Sequence, residues 1–137
     1  MDTSPRVVSR WTGIPFRWGG SSFRGADCCG LVFLYLQEEL GVKLPPEGGP
    51  RTAAAWKDGG ERRMLEYLDR HCVRVEHPRR GDIVVIHGIG QAAHAGVMVD
   101  ERRFLHTNFD RTSEIGWLDA YPKHRVLGFW RPRSVME

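Results

Sequence analysis

In the first half of the chain apolar residues recur at helical spacing, whereas in the second half they gather in short β-prone runs. Leu31, Leu34 and Tyr35 fall on one helical stripe; Asp27 can cap the start of the stretch and Gly41 suits the position just past its end. This predicts a helix over 28–40. After the Pro- and Gly-rich stretch 44–50, residues 52–57 and 61–70 read as two shorter helices separated by Asp58-Gly59-Gly60. Strands are predicted at 83–86, 95–99, 104–107 and 126–130, with Pro78 and Gly81-Asp82 marking entry to the sheet. Helices followed by strands is the pattern of an α+β domain with a central antiparallel sheet. Asp100-Glu101-Arg102 predicts a hairpin. If its turn is centred on Asp100 with an odd number of loop residues, His94 lies opposite His106 with both rings on one face; a two-residue turn would separate them.

At 137 residues, the chain is expected to form a single domain, 1–137, that buries about two-thirds of its unfolded surface without disulfide or metal staples. Its longest apolar run, 31–36, is far short of the roughly 20 residues that span a bilayer, so no membrane insertion is expected. The first residues lack the pattern of a secretory signal, which leads us to expect a chain made in a cytosol or already processed. Lys and Arg exceed Asp and Glu by a net +3. The basic residues sit in scattered pairs, a mild bias toward anionic partners and no argument for nucleic acid.

Cys28 stands out chemically. It falls in the first turn of the predicted helix, where unpaired backbone N–H groups and the helix dipole favour a thiolate over a thiol. A cysteine nucleophile needs a histidine partner and a group to orient it, and His94 and His106 are the candidates. The bland reading of a cysteine at such a place is a small buried hydrophobe. For His71, His77, His87 and His124 solvated or capping roles are expected, and for Cys72 a structural one. The three cysteines and the histidines show no zinc-ligand spacing, and neither Gly19-Gly20 nor Gly88-Ile89-Gly90 is followed by the residues of a phosphate loop, so no metal and no cofactor is expected.

The segment Pro15-Phe16-Arg17-Trp18-Gly19-Gly20-Ser21-Ser22, then Gly25-Ala26-Asp27-Cys28-Cys29-Gly30-Leu31-Val32, resembles the signature of the NlpC-type cell-wall cysteine peptidases, a branch of the papain-like superfamily. There the pattern runs P-Y-x-W-G-G-x-S, then D-C-S-G-L-V. Arg80-Gly81-Asp82-Ile83-Val84, His94-Ala95-Gly96-Val97-Met98 and Phe104-Leu105-His106-Thr107 resemble the later P-G-D-L-V, H-V-G-I-Y and I-H-A segments, in order. The resemblance implies the papain-like NlpC-type fold, Cys28 as nucleophile, His94 as base and acid, and His106 as the group that orients it. Phe16, Trp18, Ser21, Ser22, Asp27 and Cys29 fall where the family's substrate cleft is bordered, Trp18 packing beneath it and Asp27 also capping the helix. The activity implied is hydrolysis of bacterial peptidoglycan peptides, at the bond between γ-D-glutamate and a diamino acid, without cofactor. The compact domain also resembles peptidases that bacteriophages mount in their tail tips, which makes phage tail-tip proteins candidate partners.

Two residues depart from the pattern. Phe16 stands where the family has tyrosine and removes a hydroxyl near the nucleophile. Cys29 replaces serine, and a vicinal disulfide or a resolving thiol there would switch activity off on oxidation. These departures motivate two other readings: a non-catalytic structural or wall-binding component, and an acyltransferase or amidase acting on another amide.

Overall fold

A computed structural model of the chain describes residues 5–46, 52–87 and 94–136. The end of the Pro- and Gly-rich stretch and Gly88-Ile89-Gly90 lie outside them. Four helices precede or flank the sheet: α1 (Pro5–Trp11), α2 (Cys28–Leu40), α3 (Ala53–Lys57) and α4 (Gly60–His71). The tiny hairpin β1 (Ser21–Ser22) and β2 (Gly25–Ala26) leads into α2. The remaining strands are β3 (Cys72–Val75), β4 (Ile83–Ile86), β5 (His94–Met98), β6 (Arg103–His106), β7 (Glu114–Trp117) and β8 (Val126–Pro132). They form one antiparallel sheet in the order β3-β8-β4-β5-β6-β7.

The predicted α+β architecture and its principal helix are found as expected. Asp27 caps α2 through its side chain, and Gly41, at φ 65°, ends it with its N–H donated to Gln37 O. The run Ile83-Val84-Val85-Ile86 is buried throughout because the sheet has apolar cover on both faces. Ile83 and Val85 face the main core with Leu31, Val32 and Leu36 of α2, whereas Val84 and Ile86 join Met98 and Phe104 in a smaller core on the other side. The period-2 alternation of a strand thus divides one apolar run between two cores.

Several elements go beyond the sequence reading. α1 buries Val7 and Trp11, one turn apart, and the Trp11 indole N–H donates to Glu39 Oε1 at 2.8 Å. β3 and β7 form the two edges of the sheet; each is four residues long and only partly apolar, too little pattern to be read from the chain alone.

The β5–β6 hairpin corrects the expected register. Val97 pairs with Leu105 and Met98 with Phe104, and the Val99 N–H donates to Arg103 O at 2.9 Å. The loop is therefore centred on Glu101. Asp100 is its first residue, and its Oδ1 accepts the N–H groups of both Arg102 and Arg103 at 2.8 Å, a local turn that moves the centre one residue along. His94 and His106 consequently sit diagonally rather than directly opposite. The loop is still odd-numbered, so they share a face.

Two contacts lock the chain around α2 and the sheet. Arg131 of β8 donates to both carboxylate oxygens of buried Asp82, from Nε at 2.8 Å and Nη2 at 2.7 Å, which ties the entry of β4 to its neighbour. The carbonyl of Gly20 approaches α2 so closely that a Cβ on Gly30 would lie 1.8 Å from that oxygen. Gly30→Ala is expected to cost about 3 kcal/mol or more, since backbone must move on both sides. Gly41→Ala, which meets no atom within 4 Å but must hold a left-handed conformation, is expected to cost about 1 kcal/mol. Urea unfolding of the two variants checks the contrast.

Candidate active site

The site begins at the N-terminus of α2. Asp27 is extended there (φ −87°, ψ −178°). Its Oδ1 accepts the Gly30 N–H at 2.8 Å and its Oδ2 accepts the Gly19 N–H at 2.9 Å. One carboxylate therefore caps the helix and clamps the Trp18-Gly19-Gly20 loop against it. The loop is held further along by the Arg17 N–H donated to Ala26 O and the Ala26 N–H donated to Pro15 O.

This clamp places Cys28 as the first residue of the helix. The Cys29 thiol donates to its sulfur, and the backbone N–H groups of Ala95 and Cys29 point to it as well. Together they outweigh burial and the nearby Asp27 charge, and hold the Cys28 thiol below its ordinary value. The Ala95 contact also fixes where the imidazole lies, because the preceding residue is His94.

His94 opens β5 and His106 closes β6. Their rings stack at 5.6 Å between centroids and 20° between planes. Burial pushes His94 down to about 4, helped by the charges of His106 and Arg125, and burial alone pushes His106 down to about 4. Both imidazoles are neutral at neutral pH. His94 Nε2 and His106 Nδ1 are buried with no hydrogen-bond partner among the described residues, and Glu114 Oε1 lies 3.6 Å from His106 Nε2. The contact between the two histidines is thus ring on ring.

Cys28 and His94 line one cleft of about 720 Å³. Phe16 and Trp18 form part of its wall, meeting edge-on at 5.0 Å, and Phe16 meets Phe109 in the same way at 5.8 Å. The opposite wall is α3, with Ala53, Trp56 and Lys57; Thr107, Asn108 and Arg111 complete the lining. α3 was expected as a helix at 52–57, but its place on the cleft and that of the loop after β6 were not foreseen, since their charged and aromatic residues look like ordinary solvated surface.

Other expected border residues lie elsewhere. Asp27 is buried and doubly engaged, so it shapes the site from behind. Ser21 and Ser22 are exposed on β1, where Ser22 Oγ accepts the Arg24 N–H, and neither is on the cleft lining among the described residues. Cys29 turns inward to a small apolar space of about 20 Å³ beside Val32, Met64 and Leu68. Its polar contact is with the Cys28 side chain. All three cysteines are free. Cys72 is buried at the start of β3, and burial pushes its thiol up to about 11, as suits a structural role. His71 packs on Tyr67, His87 pairs with Glu61, and His124 lies in an exposed turn.

The model of the NlpC/P60 family matches residues 13–131. The chain belongs to the NlpC/P60 family. Among curated relatives, the murein DD-endopeptidase MepS/murein LD-carboxypeptidase of Escherichia coli strain K12 is 25% identical over 111 residues, covering 79% of this chain and 51% of that protein. The murein DD-endopeptidase MepH of the same strain is 33% identical over 98 residues, covering 69% of this chain and 31% of that protein. The chain thus spans about half or less of the length of these two relatives. The NlpC/P60 domain of the peptidoglycan hydrolase SagA is 17% identical with a TM-score of 0.55, over 90% of this chain and 91% of that one. NlpC2 of Trichomonas vaginalis is 21% identical with a TM-score of 0.64, over 93% of this chain and 45% of that one. The fold is that of the NlpC/P60 domains. Among the described residues no helix is long and apolar enough to cross a membrane.

Two measurements test the electrostatics of this NlpC/P60 site. Cys29→Ala removes the thiol donor, so the pH midpoint for alkylation of Cys28 by iodoacetamide is expected to rise. The histidines titrate near 6.5 when unfolded and at about 4 when folded, so between those values the unfolded chain binds more protons. Stability is therefore expected to fall as pH drops through that window, by about 3 kcal/mol for each histidine. His106→Gln should lose less over the same range in urea titrations.

Proposed function

We propose that the protein is a cysteine peptidase that hydrolyses peptide bonds of bacterial peptidoglycan, at the bond between γ-D-glutamate and a diamino acid. The observation that carries this reading is the placement of an acidified thiol at a helix N-terminus on the same cleft as a neutral buried imidazole. Membership of the NlpC/P60 family and the names of the murein endopeptidase relatives support the polymer as substrate.

In this mechanism Cys28 gives its proton to His94 and the thiolate attacks the amide carbonyl. The resulting imidazolium and the thiolate, two opposite charges in a partly buried site, stabilise each other. The N–H groups at the start of α2 have no intrahelical acceptor, and the Cys28 amide is among the donors suited to the oxyanion. His94 then protonates the leaving amine, and water admitted by its departure is activated by the same imidazole to hydrolyse the thioester. His106 completes a Cys-His-His triad as a positioning residue, by holding the His94 ring. Delivery from a phage tail tip has no counterpart among the relatives reported above and forms no part of the proposal.

Mass spectrometry of muropeptides incubated with the reduced protein tests it. New fragments should appear with wild type and be absent with Cys28→Ala, and their masses name the bond. His94→Ala is expected to reduce turnover by about 1,000-fold or more, and His106→Ala by about tenfold because it transfers no proton. Equal fragmentation by wild type and Cys28→Ala would exclude a cysteine peptidase; no fragmentation by either would favour a structural or wall-binding component.

A further inference from the structure

The cleft carries two cations with no assigned partner. Lys57, the last residue of α3, and Arg111, in the loop between β6 and β7, both line it. Neither side chain makes a hydrogen bond or ion pair with another described residue. Other arginines are held by carboxylates: Arg103 by Asp100, Arg131 by Asp82 and Arg10 by Glu38. Among the described residues no carboxylate is on the cleft lining, and Asp110, next to Arg111, is not part of it. The aromatic side chains of Phe16, Trp18, Trp56 and Phe109 share the lining with the two cations, which are exposed and open to an incoming ligand.

Buried neutral donors point the same way. Thr107 is 2% exposed, lies on the lining, and its Oγ1 has no partner among the described residues. The indole N–H of Trp18, on the same lining, is buried and lacks an acceptor. A buried donor without an acceptor is costly, so a ligand that brings acceptors is favoured there. Among the described residues, two unpartnered cations and two orphaned polar groups with no acid beside them on the lining suit an acceptor-rich anion.

We propose that Lys57 and Arg111 make the cleft a carboxylate receptor, so that the protein selects stem peptides whose carboxylates are free over those in which they are amidated. The inference rests on the peptidase reading and adds its substrate class. A γ-D-glutamyl linkage leaves the α-carboxylate of that residue beside the bond to be cut, and the diamino acid that follows carries another. Converting a carboxylate to a primary amide keeps its size but removes the charge and adds N–H donors that face a cation.

Calorimetry with the Cys28→Ala protein, which binds without turnover, tests the idea. The probes are a synthetic L-Ala-γ-D-Glu-diamino acid peptide with free carboxylates and two versions amidated at one carboxylate each. At least one amidation is expected to weaken binding by about tenfold or more, the scale of one lost charge-assisted hydrogen bond. Lys57→Gln with Arg111→Gln in the same background should bind the free peptide as weakly as the amide and lose the salt dependence. Equal affinity for free and amidated peptides, no binding of the free peptide, or discrimination that survives the double substitution would overturn the proposal. Cys28→Ser serves as a second inactive background should the alanine variant misfold. Cleavage by wild type is read separately. Cleavage without discrimination defeats this inference alone, whereas discrimination without Cys28-dependent cleavage defeats the peptidase reading alone.

Discussion

The site depends on one buried carboxylate. Asp27 accepts an N–H from Gly30 inside α2 and another from Gly19 in the preceding loop, so the loop cannot part from the helix without stranding a charge. The same junction requires glycine at position 30, because the Gly20 carbonyl occupies the space where a side chain would begin. The consequence is positional. Cys28 leaves the loop at the point where the helix amides are still unpaired, and β5 passes close enough for the Ala95 N–H to reach its sulfur.

That position also carries a conflict. The charge that holds the helix start in place lies beside the Cys28 sulfur and works against its thiolate form. The opposing donors are local: the Cys29 thiol, the Ala95 amide and the Cys29 amide. A serine in place of Cys29 would also present a donor, so the change from the family's usual residue keeps the polar contact while placing a larger, softer atom against Met64 and Leu68. The burial at this end of the sheet also holds His94 neutral.

What could be read from the sequence follows from where the physics is local. The cap at Asp27, the stop at Gly41 and the helical stripe between them are short-range signals, and α2 was legible from end to end. The strands around the histidines were legible because their apolar runs are buried on both faces. The hairpin register was not, since Asp100 draws two backbone N–H groups to one carboxylate oxygen and shifts the turn, a choice that pattern alone does not reveal. The edge strands β3 and β7 depend on neighbours distant in sequence. Ser21 and Ser22 resembled cleft residues, yet the tight β1–β2 hairpin turns them to solvent.

The cleft walls illustrate the boundary between fold and selectivity. Cys28, His94 and His106 are set by the helix start and by two central strands, which is why their spacing reads as a motif. Trp56, Lys57, Phe109 and Arg111 come from a five-residue helix and a loop, where a charged or aromatic side chain carries little information about its neighbours. Phe16 joins the two groups. It sits in the motif, but it lacks the hydroxyl expected there and packs edge-on against both Trp18 and Phe109. Without that hydroxyl the wall beside Cys28 is apolar. The cations of the lining, Lys57 and Arg111, lie outside the motif, so the proposed recognition divides as the fold does: the reacting side chains from the scaffold, and the contacts to substrate from its edges.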